Sequence, residues 1–467
     1  MKRRDFIKNS VYKGVGLASA GAILDLQKIL AATKVSASFN DYKALVCIFL
    51  YGGNDGDNTV IPRGSGYNAY AAQRSSLALP QNEILPVNPV VGDGREWGFH
   101  PRFGEMKTLF DQGKLAVVGN IGSLVVPTSR TQFQNNTVPL PPNLFSHNDH
   151  QIQWQTSLPE NVDVQTGWGG RMCDLMLESN GIWKNFTSIS LGGANTLCNG
   201  ENTSIYHVSD QGTVGLHGYD DDPNTQEIIS YAMNQILALD GGNEFELEFS
   251  DIKKRSITNN RIISQVLAAS QPITTIFPDY SLARQLKTVA RLISARNNLS
   301  LKRQIFFCEL GGFDTHNEQV ATQPNLLQEL SQSINAFYNS TVELGISDKV
   351  TSFTASEFGR SYRVNGNGTD HGWGNHQFIL GGAVCGNRIY GQMPILQIGG
   401  PNDTYDNGRW IPTTSVDSYS ATLARWFGAT NDNLTTILPN LGRFSTSDLG
   451  FMNIENPISK PVIGKKK

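Results

Sequence analysis

An α/β fold of three layers, with a largely parallel central sheet and helices on both faces, follows from two features of this chain. Short continuous apolar runs, typical of strands buried on both faces, alternate with segments of helical spacing. Three of those runs also end alike, in glycine or a small residue and then an acid: Gly52–Asp55, Gly311–Asp314 and Ser356–Glu357. Open α/β sheets build their ligand sites just past such strand ends.

The elements follow in order. Residues 1–37 read as an export signal: Arg3-Arg4-Asp5-Phe6-Ile7-Lys8 is a twin-arginine pattern, and a Gly- and Ala-rich apolar segment follows from Val11 to Leu24. Asp25 and Lys28 cut that segment too short for a membrane-spanning helix, so the mature chain is expected in the periplasm or secreted. Tyr42–Tyr51 is the first buried strand. Pro101–Gln112 has helical spacing, Leu115–Gly119 is a strand, and Ser146 is placed to cap a helix running through Trp154. Gly167–Leu177 reads as a helix and Thr187–Leu191 as a strand. The pattern weakens over about 198–275, which is taken as an insertion or subdomain with one helix, Thr225–Leu239. Ser281–Ala295 is an amphipathic helix, Gln304–Leu310 a strand, Leu326–Leu344 a long helix and Thr351–Ala355 a strand. His376–Leu380 is the last strand and Val416–Phe427 the last helix. No linker divides the mature chain, so residues 38–460 are expected to form one domain.

Composition excludes some functions. A net charge of −3 over 467 residues gives no basic excess for a nucleic-acid partner, and Lys465-Lys466-Lys467 is a solvated tail. The five cysteines have no metal-type spacing, and Cys47 and Cys308 lie in apolar runs where buried reduced thiols are expected. Folding before export, in a reducing compartment, accounts for such thiols in an exported protein.

The candidate chemistry lies at the strand ends. Asp55 (with Asp57), Asp314 with His316, and Glu357 with Arg360 follow three strands, and Asp370 and His371 come from the loop beyond. In a parallel sheet these groups converge on one edge. Clustered carboxylates and imidazoles repel one another unless a cation or a shared proton compensates them. The metal ligands expected are therefore Asp55, Asp314, His316, Glu357, Asp370 and His371, and a divalent ion such as Zn, Mn or Ca suits such oxygen and imidazole donors. It would activate a water or stabilise a transferring phosphoryl or sulfuryl group. Ser146 is the candidate nucleophile, although serine before a helix is more often only its cap. Arg360 is the candidate oxyanion clamp, or else pairs with an acid such as Glu357. His147 and His150 flank the same helix start, where each either orients the site or hydrogen-bonds within the fold.

Six stretches then resemble a known family: GGNDGDNTVIP (Gly52–Pro62), SHNDHQIQW (Ser146–Trp154), GGFDTH (Gly311–His316), SEFGR (Ser356–Arg360), GTDHGWG (Gly368–Gly374) and IPTTSVDSYSATLARWFG (Ile411–Gly428). Together they look like the bacterial domain-of-unknown-function 1501 family, whose members carry twin-arginine signals and whose fold is similar to the alkaline phosphatase and sulfatase superfamily. The resemblance implies Asp55 as a first-strand metal ligand, Ser146 at the nucleophile position, Asp314 with His316 as a ligand pair, and His371 as the last histidine. Two departures stand out. The superfamily spaces the first pair as Asp-x-x-x-His where this chain has Asp314-Thr315-His316, and its later Asp-His pair is replaced by Glu357-Phe358. The expected function is a metal-dependent hydrolase of small or polymeric phosphate or sulfate esters. The alternative is a non-catalytic envelope protein that binds a glycan or a protein partner with the same sheet edge.

Overall fold

The eight residues Lys43–Leu50 (β1) are apolar after the first, and from Ala44 onward every one is buried. A strand so placed needs cover on both faces, and its neighbours supply the sheet around it. The computed structural model describes residues 39–161, 163–210, 212, 219, 227–239, 243–270 and 272–454. The expected export segment and the terminal lysines lie outside the described residues.

Besides a small separate sheet of Val60–Pro62, Leu85–Val87 and Trp97–Phe99, the next strands of the central sheet are Leu115–Gly122 (β2), Ser188–Ser190 (β3), Tyr206–His207 (β4), Arg303–Leu310 (β5) and Val350–Ala355 (β6). After them come a separate hairpin, Arg360–Asn365 (β7) and Gly368–His371 (β8), and then Asn375–Gly381 (β9), Ile389–Gly391 (β10) and Thr414–Ser415 (β11). Among the described residues the central sheet runs β10-β2-β9-β6-β1-β5-β3-β4, with β11 also on β2. β1 pairs in parallel with both β5 and β6. β9 alone runs against its neighbours β2 and β6. The expected largely parallel sheet is thus observed, and its middle three strands are those whose ends carry the acids.

The strand residues of β1 alternate between two cores. Ala44, Val46, Ile48 and Leu50 pack with residues of Gly104–Asp111, Ser281–Ser294 and Gln319–Glu343. Leu45, Cys47 and Phe49 pack on the other face with Trp154 of His147–Thr156, Trp168 of Trp168–Asp174, and Tyr419 and Phe427 of Val416–Phe427. Helices on both faces make the three layers.

Two readings change. The weakly patterned stretch over about 198–275 contains a 26-residue helix, Glu244–Ala269, capped by the Asn243 side chain on the Glu246 N–H. Its opening Phe245-Glu246-Leu247-Glu248-Phe249 alternates with period two, which hides helical spacing. The polar loop Gly368–Gly372 is not irregular: most of it is β8, paired antiparallel with β7.

The exit from β1 is tight. Gly52 has φ +113°, and a Cβ there would stand 2.3 Å from the Asp314 backbone nitrogen. Gly52→Ala is therefore expected to cost at least about 2 kcal/mol in urea unfolding, from backbone strain and overlap together. An unchanged midpoint would contradict this packing.

Candidate metal centre and active site

The acids expected to meet at the sheet edge divide into two groups, each held by different partners. Asp314, just past β5, is the centre of the first. Its Oδ1 accepts from Arg360 Nη1 at 2.7 Å and lies 3.0 Å from His316 Nε2 and 3.3 Å from His371 Nε2. Its Oδ2 lies 3.4 Å from His147 Nε2. Burial raises the Asp314 carboxyl, but the Arg360 hydrogen bond and charge outweigh it, with help from His316 and His147, and hold its pKa below the usual carboxylate range.

Two of the three imidazoles have their protons fixed by what lies behind them. His147 Nδ1 is 2.9 Å from Glu357 Oε1, so facing a carboxylate it must donate. His371 Nδ1 is 2.6 Å from the Phe145 carbonyl oxygen and must also donate. In the neutral rings both Nε2 atoms are then lone-pair donors turned toward Asp314. His147 Nε2 is buried and has no hydrogen-bond partner. His371 stays neutral readily: burial lowers its pKa, and the charges of His147 and Arg360 add to that. His147 behaves oppositely, its pKa raised first by the Glu357 hydrogen bond. His316 Nε2 completes the group 2.9 Å from His371 Nε2.

Ligand atoms of His147, Asp314 and His371 lie within 4.8 Å of one another. Donors about 2.05 Å from a tetrahedral ion stand about 3.3 Å apart. The 3.3 Å approach of His371 to Asp314 Oδ1 and the 3.4 Å approach of His147 to its Oδ2 are each close to that spacing. Imidazoles whose far nitrogen is anchored to a carboxylate or carbonyl are the usual metal-ligating kind. His147, Asp314 and His371 fit a divalent ion, and His316 stands beside them.

The scaffold around the group is specific. Glu357, fully buried, accepts on Oε1 from the Gly52 N–H at 2.8 Å, from His147 and from Gln151 Nε2 at 3.2 Å. Phe145 has φ +72°, strained for an aromatic residue. Its N–H donates to His150 Nε2 at 3.0 Å and its carbonyl holds His371. His150 is buried and its pKa is pushed down to about 4 by desolvation. Phe358 packs against His147, His150 and His371 at centroid distances of 4.8, 5.5 and 4.8 Å.

Several expected roles find different surroundings. Asp55 does not join the cluster: it is buried in an ion pair with Arg74, accepts from Gln319 Nε2, and caps the turn at the Asn58 N–H. With Oδ2 taken by the guanidinium and the Gln319 amide, Oδ1 by the Asn58 N–H, and the whole side chain buried, it has nothing left for an ion. Glu357 faces the back of His147, so it anchors an imidazole where it was expected to be a metal ligand itself. Arg360 pairs with Asp314, not with Glu357, and its other donors go to the Gly52 carbonyl oxygen and to the Thr369 hydroxyl and carbonyl oxygen. So occupied, it is no free oxyanion clamp. Asp370 lies at the margin, 3.5 Å from His316 Nδ1 and accepting from Asn365. The Ser146 hydroxyl donates to Asp149 Oδ2 at 2.5 Å and makes no cap bond. His147, which carries the central contact, was legible only as one of two histidines beside a helix start.

Residues 225–405 match the family model described as "Protein of unknown function (DUF1501)". This stretch belongs to that family. The motifs at Gly311, Ser356 and Gly368 fall inside it, and the resemblance is borne out there. No curated protein matches the chain. Among solved structures, Ps i-CgsB overlaps 88% of this chain and 75% of its own at 11% identity and TM-score 0.37. The PsFucS1 sulfatase from Pseudoalteromonas sp. overlaps 88% and 71% at 9% identity and TM-score 0.34. A mutant of the alkaline phosphatase PafA overlaps 69% and 64% at 11% identity and TM-score 0.27. Likeness at this level does not bear on what the chain does.

The second group of acids yields a stability test. Removing the guanidinium beside Asp55 leaves a buried charge unpaired, so Arg74→Ala is expected to cost about 3–5 kcal/mol in denaturant unfolding. A loss below about 1 kcal/mol would contradict the pairing. Neighbouring Asp57 is pushed up to about 7 by burial and by the Asp55 charge. Its folded pKa exceeds the unfolded value, so stability should fall as pH rises from about 4 to 7. Asp57→Asn should flatten that slope in unfolding curves measured across the range.

Proposed function

We propose that this chain is an exported, metal-dependent hydrolase of phosphate or sulfate esters, working from the C-terminal edge of its sheet. The observation that carries the reading is the pair of imidazoles, His147 and His371, whose proton-bearing nitrogens are anchored behind them while their lone pairs meet the Asp314 carboxylate. Such an arrangement has little purpose without a cation. Nitrogen donors favour Zn or Mn over Ca, which takes oxygen ligands. His147, Asp314, His371 and His316 would hold the ion, which when bound supplies a Lewis acid to an ester oxygen.

The chain's own residues set the rest. Arg360 orients Asp314, and Glu357 orients His147. The Ser146 hydroxyl, hydrogen-bonded to Asp149, is the nucleophile of this reading. Hydrogen bonds from Asn143 and then Ser146 lower the Asp149 pKa and keep it an acceptor for the serine proton. Attack by water is the competing route, and Ser146→Ala separates the two: a loss of about 100-fold or more in kcat supports the serine, and an unchanged kcat supports water. Export fits the twin-arginine pattern and the buried, unpaired Cys47, Cys173, Cys198 and Cys308. Among the described residues no helix is long and apolar enough to cross a membrane.

A second reading, a binding protein on the same fold, is favoured by the pairing of Asp55 with Arg74 and of Arg360 with Asp314, which occupies an expected metal ligand and the expected oxyanion clamp. Elemental mass spectrometry and an aryl phosphate and aryl sulfate assay decide between them. The hydrolase reading expects about one Zn or Mn per chain and turnover that Asp314→Asn abolishes. Folded protein with no metal and only background hydrolysis would overturn it. Glu357→Gln should keep the fold but weaken metal affinity about 10–100-fold in chelator competition.

A further inference from the structure

With Arg360 occupied by Asp314, the cluster needs another cation if it is to take an anionic group, and one stands beside it. The Arg409 guanidinium lies over the Phe145 ring, 4.5 Å from its centroid. Phe145 is the residue whose carbonyl oxygen fixes His371. Arg409 is half-buried, and among the described residues its guanidinium has no hydrogen-bond or ion-pair partner; its Nε is buried and unsatisfied. Two acids are within electrostatic reach, Asp370 and Asp403. Asp403 is already taken by the backbone N–H groups of Gly399, Gly408 and Arg409 itself, and Asp370 accepts from Asn365. Burial lowers the Arg409 pKa and those acids pull it back, yet a guanidinium remains charged across the working range.

A charged fork held against an aromatic face with a buried donor unmet is costly unless something completes it. Its geometry selects an oxyanion, which two N–H groups meet at once, as a water cannot. The competing role, a cation that merely packs on Phe145, would leave the buried Nε without a function.

We propose that Arg409 is the oxyanion-binding residue of this site, gripping the phosphate or sulfate group of the substrate beside the His147–Asp314–His371 cluster. The proposal rests on the ester-hydrolase reading for its substrate, but its contact is separable from the metal. Asp370, near both Arg409 and His316, then marks the boundary of the anion subsite.

The test is calorimetric titration of the full-length protein with inorganic phosphate and, separately, sulfate. It compares wild type, Arg409→Lys, Arg409→Gln and Asp314→Asn, with metal content and melting temperature measured on each. Wild type should bind one of the two anions, and the tighter one names the ester class. Arg409→Gln should weaken that binding about 10–100-fold, with metal content unchanged, and Arg409→Lys should fall between because it keeps charge but loses the fork. Equal affinity in wild type and Arg409→Gln would overturn the proposal, as would a metal-loaded wild type that binds neither anion. Anion binding lost in Asp314→Asn but kept in Arg409→Gln would assign the grip to the cluster alone and overturn it too. Arg409-dependent binding in a protein that holds no metal would support Arg409 while removing the metal-dependent reading.

Discussion

The buried carboxylate of Glu357 ties the site to the fold. One oxygen takes the Gly52 N–H from just past β1, and the His147 imidazole and the Gln151 amide from the helix His147–Thr156, while its own backbone continues from β6. Three segments distant in sequence are thereby fixed at a single atom in a place that excludes water. A buried acid is tolerated only when so surrounded, and the same bonds set which nitrogen of His147 carries the proton. Fold and chemistry share one constraint there.

Asp314 is arranged on the opposite principle. It is 44% exposed, as is His316, while Arg360 behind it is fully buried. The acceptor side of the cluster therefore faces outward and its support faces inward. One cluster of this kind suits a single ion. Asp55, expected among the ligands, is closed off by Arg74 with Gln319 against it. The departures at Glu357 and Phe358 read the same way: the acid supports an imidazole from a neighbouring helix, and the phenyl ring packs three histidines in place.

Much of the architecture was legible in the sequence, because continuous apolar runs have few alternatives to buried strands. β1, β5 and β6 were all visible, and with them the edge where Asp314, His316, Glu357 and His371 gather. Pairing was not legible. Asp55 and Asp314 follow the same local pattern, and only Arg74, from a short helix nineteen residues on, separates their fates. Arg360 beside Glu357 suggested a pair, yet β7 turns the arginine toward Asp314. His147 was marked only with His150 as a helix-start histidine that either orients the site or hydrogen-bonds within the fold, and nothing in the sequence pointed to Arg409. Their significance comes from Phe145 and Glu357, which only the folded chain sets beside them.

The central claim is that the imidazoles and Asp314 share one divalent ion. X-ray absorption at the zinc and manganese edges, on protein exported and purified without chelators, tests it most directly. Two or three imidazole nitrogens with carboxylate oxygen at about 2.0–2.2 Å, and no sulfur, is the predicted environment. An unloaded protein, or a metal with sulfur at about 2.3 Å, would contradict it and return His147 and His371 to the ordinary hydrogen bonding of the fold.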